Sequence, residues 1–369
     1  MKNKLKINLI IGFFYILSLT QFHAQVVPDS SSGQKEYVSL DDALETPNLV
    51  YRLNLSNQTS NIFSDSIWSK FENLEYLSLK NDHLKEIPFG IGNLKNLRVL
   101  DLSGNDFIEL PPSFSRLENL REIYLNDENA MDINQSLSTI KDLPNLRILH
   151  LENDNLKSIP TSLLSLTKLE ALYLDSNRFN SISDINWKNF ENLEYLSLKN
   201  DHLKEIPIGI GSLKNLKVLD LSGNDFRVLP QSFSRLENLR EIYLNDENAM
   251  DVNQSLSAIK DLPNLKELHL ENDNLKSIPQ GLLNLTQLET LYLNNNSFKN
   301  IPIELNQLLN LKLLDLHDNK FTLNTKDLQF RDNFKFKIYK NEEILLNFYS
   351  NFYVYGITPR IRKFYCSRL

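Results

Sequence analysis

Apolar positions recur along most of this chain in one short phrase: a leucine, two other residues, a second leucine, one residue, a third leucine. In FENLEYLSLKNDHLKEIP, Phe190 to Pro207, the phrase falls on Leu193, Leu196 and Leu198, and the same letters stand at Phe71 to Pro88. Alternation across Leu196-Ser-Leu198 predicts a short strand with one face buried. Asp201 then supplies a polar turn residue. Leu203 and Ile206 predict a second apolar turn, and Pro207, lacking an N–H, ends any further strand.

The phrase begins at Val50, Leu74, Leu97, Leu120, Leu146, Leu169, Leu193, Leu216, Leu239, Leu265, Leu288 and Leu311, at steps of 23 to 26 residues. The steps themselves repeat. A shift of 119 residues lays Trp68 on Trp187, Phe71 on Phe190 and Glu122-Ile-Tyr124 on Glu241-Ile-Tyr243, so a block of five repeats is duplicated. A fixed period of this length is the signature of a stacked repeat architecture.

With L-x-x-L-x-L followed by the 23-residue form L-P-x-x-I-x-x-L, residues 50–323 resemble the leucine-rich-repeat family, in the type found in exported bacterial proteins. The resemblance implies an α/β solenoid of about twelve repeats, with a curved parallel sheet on the concave face and short helices or turns on the convex face. One repeat alone buries too few apolar side chains to offset the ordering of its backbone, so only the stacked array is stable. The longer units carry INQSLSTIKDLP from Ile133 and VNQSLSAIKDLP from Val252, which predict longer back-face helices.

The turn position holds Asn at 105, 177, 224, 296 and 319, where an amide can both donate and accept. It holds Asp at 82, 154, 201 and 273, and Glu128 and Glu247 in the long units, where a locally broken ladder is expected.

The ends read differently. Residues 1–24 carry Lys2, Lys4 and Lys6, an apolar run from Ile7 to Leu19 and a small residue at Ala24, the pattern of an export signal. This almost wholly apolar run of 13 residues is shorter than the ~20 that span a bilayer, so no transmembrane span is expected in the mature chain. Residues 25–36 are a polar leader. Ser39-Leu-Asp-Asp42 predicts a helix start, and residues 37–49 are assigned to an N-terminal capping helix ended at Pro47. Residues 324–369 are assigned to an aromatic C-terminal cap, in which Ile344, Leu345, Phe348 and Phe352 predict a helix over 341–353.

Charge narrows the partners. The chain has 40 basic and 47 acidic residues, a net of −7, and loses three more positive charges with residues 1–24. That balance argues against nucleic acid. Its one cysteine, Cys366, excludes an intrachain disulfide. Strand alternation sends one column to the concave face: Asp101, Tyr124, His150, Tyr173, Asp220, Tyr243, His269, Tyr292 and Asp315. Tyr-His-Tyr occurs in it twice, beside acids such as Glu152 and Glu271. Exposed tyrosines favour a binding surface, and the acids imply a basic or polar protein or peptide ligand. Calcium at the DENAMD loops and metal at His150 or His269 lack any ligand spacing. No metal, cofactor or catalytic motif is assigned, and an enzyme is not expected. The expectation is an exported protein-binding scaffold, with a glycan-binding surface adhesin as the alternative.

Overall fold

The computed structural model describes residues 35–58, 64–128, 130–179, 182, 185–247, 249–300, 302–320, 335–340 and 344–348, with backbone alone at 303 and in the last two segments. The expected export segment, most of the leader, Cys366 and most of the C-terminal cap lie outside these residues. The described residues fall into two compact units, one from 35 to 154 with 160–172 and one of 155–159 with 173 onward.

In the first unit the strands are β1 (Glu36–Tyr37), β2 (Arg52–Asn54), β3 (Tyr76–Ser78), β4 (Val99–Asp101), β5 (Glu122–Tyr124) and β6 (Ile148–His150). Each pairs with the next in parallel, with no slip in register. Then β7 (Ala171–Tyr173) follows. The second unit holds β8 (Tyr195–Ser197), β9 (Val218–Asp220), β10 (Glu241–Tyr243), β11 (Glu267–His269), β12 (Thr290–Tyr292) and β13 (Leu313–Asp315), again parallel throughout. The parallel ladder expected from the sequence is thus present, with one three-residue strand per repeat.

The leucine phrase explains it. Leu77 and Leu79, Leu100 and Leu102, Ile123 and Leu125 are fully buried in the first unit, as are Leu196 and Leu198, Ile242 and Leu244 in the second. In the turns that follow the strands, residues such as Asn81, Gly104, Asp127, Asn153, Asn200, Gly223, Asp246 and Asn272 enter the left-handed region, with φ between 56° and 70°. Gly and Asn tolerate that conformation best. The backs of the 23-residue units are single 3-10 turns such as Phe89–Asn93 and Ile208–Ser212. Here glycine is required by space: a Cβ on Gly92 would lie 2.4 Å from Ser113 O, and one on Gly211 2.3 Å from Ser232 O.

Helix α1 (Leu40–Glu45) starts at Ser39, whose Oγ accepts from Asp42 N at 3.3 Å. A short α2 (Asp65–Trp68) follows, and the long units carry α3 (Ile133–Ile140) and α4 (Val252–Ser257), N-capped by Asp132 and Asp251. The extra length in these units is helical, as expected.

Two expectations are corrected. The ladder is continuous at the long units: Asn105 N donates to Glu128 Oε1 at 2.7 Å, and Glu128 N to Asp154 Oδ1 at 2.8 Å. Glu247 does the same with Asn224 N (2.6 Å) and Asp273 (2.8 Å). The longer side chain still presents an acceptor to the preceding turn. In the tail, β14 (Lys335–Lys340) pairs parallel with β13, and β15 (Ile344–Phe348) returns antiparallel. Ile344–Phe348 is therefore a strand where a helix was expected. A run this short does not separate the two periods, and an unpaired sheet edge is a template for a hairpin.

Candidate functional site

The open face of each ladder carries two columns of side chains, at the first and third residue of each strand. Only the third was singled out from the sequence.

The third column is less exposed than expected. Asp101, Tyr124, Tyr173, Tyr292 and Asp315 are half-buried, while His150, Asp220, Tyr243 and His269 are buried. The reason is strand spacing. Rings on adjacent rungs lie about 4.8 Å apart, close enough to cover one another. Tyr124 and His150 stack with centroids 3.9 Å apart and planes 11° apart. In the second unit His269 stacks between Tyr243 (3.9 Å) and Tyr292 (4.4 Å). Tyr173 leans on Tyr195 at 4.7 Å. The aspartates serve their own turns: Asp101 Oδ1 accepts from Ser103 N and Oγ, and Asp220 Oδ1 from Ser222 N and Oγ. Asp315 Oδ1 accepts from His317 N at 3.1 Å.

The first column brings in residues that sequence reasoning missed. Glu122 is fully buried on β5, and its Oε1 lies 3.0 Å from His150 Nε2, while His150 Nδ1 is 3.1 Å from Glu152 Oε1. Burial alone would lower the His150 pKa, but Glu152 and Glu122 together outweigh it and raise it to about 9. At neutral pH the ring is therefore a buried imidazolium clasped by two carboxylates. His269 is held in the same way, with Nδ1 3.1 Å from Glu271 Oε1 and Nε2 facing Glu241 and Glu267 at 3.5 and 3.4 Å. Burial opposes its charge too, yet the three acids push it well above the usual histidine value. The only trace in the sequence is Glu two residues before Tyr124 and Tyr243, and the partners are 28 residues apart in the chain.

A second feature lies beside the first ladder. Arg98, Arg121 and Arg147, with Asn119 and Asn145, line a cleft. They follow from the residue after the first leucine and the residue before it. The asparagines form a second ladder: Asn119 Nδ2 donates to Lys95 O and Asn145 Nδ2 to Glu118 O, each at 2.8 Å. Arg147 Nη1 donates to Pro144 O and Leu146 O, and its Nε lies 3.3 Å from Glu170. The open face is thus acidic at its rungs and basic along one margin.

Residues 49–181 match a family model for a leucine-rich repeat region, and residues 191–249 and 263–321 match one for the leucine rich repeat. No curated protein matches in sequence. Among solved structures, the chain is similar to a leucine-rich-repeat protein of Leptospira interrogans, with 26% identity over 90% of this chain and 97% of that one and a TM-score of 0.59. It is also similar in fold to an internalin of Listeria monocytogenes, at 22% identity over 85% and 96% of the two chains, TM-score 0.55. The third is Drosophila Toll in its complex with Spätzle, at 23% identity over 85% of this chain and 45% of that one, TM-score 0.59. Among the described residues no helix is long and apolar enough to cross a membrane.

Proposed function

Since the chain belongs to the leucine-rich-repeat family, we propose that it is an exported binding scaffold that takes a protein or peptide partner on the open face of its strands. The observation that carries this reading is the set of stacked Tyr–His rungs fixed by carboxylates. A partner meeting rings already locked in place loses little entropy on binding. The acids beside the rungs, Glu152 and Asp127 in one copy and Glu271 and Asp246 in the other, suit a basic or polar ligand. Family likeness supports the class, since Toll, similar in fold, is seen in a complex with Spätzle. Export rests on the charged and apolar pattern of residues 1–24. The stacked ring faces are covered by each other, which weighs against the glycan reading, where sugars need free aromatic faces. No catalytic role is proposed.

The test is a pull-down from envelope and culture fractions of the source cells, with processed full-length chain as bait. A second bait carries Tyr124→Ala and Tyr292→Ala, two half-buried rungs whose loss leaves the leucine core intact, with circular dichroism checking its fold. A partner kept by the first bait and lost by the second supports the open face. Equal retention by both removes the function from these rungs, and release by free sugar turns the reading to glycan.

A further inference from the structure

We propose that Glu241, Glu267 and His269 bind one divalent transition-metal ion of the zinc class, at a site that the second copy of the five-repeat block has and the first copy lacks. Strands β10 and β11 pair in parallel with Glu241 opposite Glu267, so their carboxylates stand side by side on the open face. His269, two residues beyond Glu267, shares that face. One ligand atom from each of the three lies within 4.8 Å of the others, the one such group of metal-type side chains among the described residues.

The distances favour an ion over direct hydrogen bonds. His269 Nε2 is 3.4 Å from Glu267 Oε1 and 3.5 Å from Glu241 Oε1. A charged N–H···O bond is shorter, about 2.7–2.9 Å. Two ligand atoms that each sit ~2.0–2.2 Å from a tetrahedral zinc ion are separated by ~3.3–3.6 Å. Both gaps fall in that interval.

A second observation concerns the nitrogen itself. His269 is 6% exposed, and its buried Nε2 has no hydrogen-bond partner. Its Nδ1 faces Glu271 Oε1 at 3.1 Å. Donation from Nδ1–H to a carboxylate aims Nε2 at Glu241 and Glu267, where the ion would take the place of the Nε2 proton, and this is the outer-shell arrangement that orients metal-bound histidines. Tyr243 and Tyr292 hold the ring from both sides, and the Tyr243 hydroxyl donates to Glu241 Oε1. Two carboxylates and one imidazole suit zinc better than the all-oxygen shells of calcium or magnesium. The fourth position is left to water or to a group from a partner.

The first copy is the internal control. A shift of 119 residues lays Glu241 on Glu122 and His269 on His150, but Glu267 on Ile148. There the histidine Nε2 meets Glu122 directly at 3.0 Å, and no third ligand is present at 148.

The test titrates untagged processed chain, stripped with chelator, with zinc chloride by calorimetry, with calcium and magnesium chloride as controls and cobalt(II) absorption as a report on geometry. One zinc per chain is expected, with tetrahedral cobalt bands. Glu267→Ile, which copies the first block, should weaken binding by more than the roughly 10–100-fold that losing an outer-shell partner costs, and Glu271→Gln by about that factor. Ile148→Glu should add a second site. Glu267→Gln, nearly isosteric, stands in should Glu267→Ile fold poorly. Absence of saturable zinc binding, calcium binding as tight as zinc, or unchanged affinity in both Glu267 variants overturns the proposal. None of these readouts depends on a protein partner, so the result is separable from the pull-down.

Discussion

The two copies of the five-repeat block carry nearly the same letters, yet their histidine rungs are built differently. In the first, His150 bonds a fully buried Glu122 at 3.0 Å, and the neighbouring strand position is Ile148. In the second, that position is Glu267, and the carboxylates stand 3.4 and 3.5 Å from His269. The side chain of Glu122 is fully buried, against exposures of 12% for Glu241 and 29% for Glu267. The exchange of Ile148 for Glu267, beside that of Arg147 for Lys266, thus accompanies the change from a closed ion pair to an open cluster. The repeat backbone tolerates both because the rung lies outside the leucine core.

The largest expected difference between the copies is the cost of removing the cation. His150→Ala leaves a carboxylate with no water contact beside a lost imidazolium, and should destabilise by about 3–5 kcal/mol. His269→Ala leaves acids that water reaches, and should cost less, about 1–3 kcal/mol. Urea unfolding at pH 7 in the presence of chelator compares them. Equal losses would mean that burial of the acid does not set the strength of the rung.

The turn ladder gives a second contrast, through pH. Asp82 and Asp201 occupy the same place in the two copies. Burial raises both, Asp82 to about 6 and Asp201 to about 8. His83 pulls Asp82 back down, while Asp175 and Asp220 push Asp201 further up. An acid whose folded pKa exceeds its unfolded value of ~3.9 binds more protons when folded. Its stabilising effect is complete below about pH 4 and is lost as pH rises through the folded pKa. Asp82 finishes losing its share near pH 6, and Asp201 only near pH 8. Asn supplies the missing donor permanently: at the next rung Asn224 Nδ2 donates to Leu198 O and Leu221 O, both at 2.8 Å. Asp201→Asn should therefore stabilise at pH 8 by on the order of 1–3 kcal/mol, Asp82→Asn by roughly half that, and neither at pH 4. A gain for Asp201→Asn that persists at pH 4 would show that charge is not the cause.

Most of the scaffold was legible because the leucine phrase fixes both the period and the buried face. Leu196 and Leu198 had one place to go. The rungs were half legible. Alternation put Tyr124, His150, Tyr243 and His269 on the open face, but it says nothing about how rings one strand apart cover each other, so a column expected to be exposed is partly buried. Glu122 and Glu241 were passed over because their contacts are made across strands, 28 residues away along the chain. The asparagine ladder was readable in principle, since Asn73, Asn96, Asn119 and Asn145 each precede the first leucine of a repeat. The strand at Ile344–Phe348 was not, because pairing at a sheet edge decided it and five apolar-rich residues fit either period.

The smallest expected effect probes the open cluster without metal. In chelator, His269 carries one positive charge among Glu241, Glu267 and Glu271, one more carboxylate than His150 has in Glu122 and Glu152. The third acid adds repulsion to a pair already satisfied in the first copy. Glu267 is partly solvated, so that repulsion is worth no more than about 1 kcal/mol. Glu267→Ile should then raise the thermal midpoint slightly in chelator, and Ile148→Glu should lower it by a similar amount. With zinc added the order should reverse, because a ligand bound only to the folded state stabilises the chain that retains its site. A loss on Glu267→Ile in chelator would mean instead that Glu267 is a net partner of the imidazolium, and that the second rung is a wider ion pair of the same kind as the first.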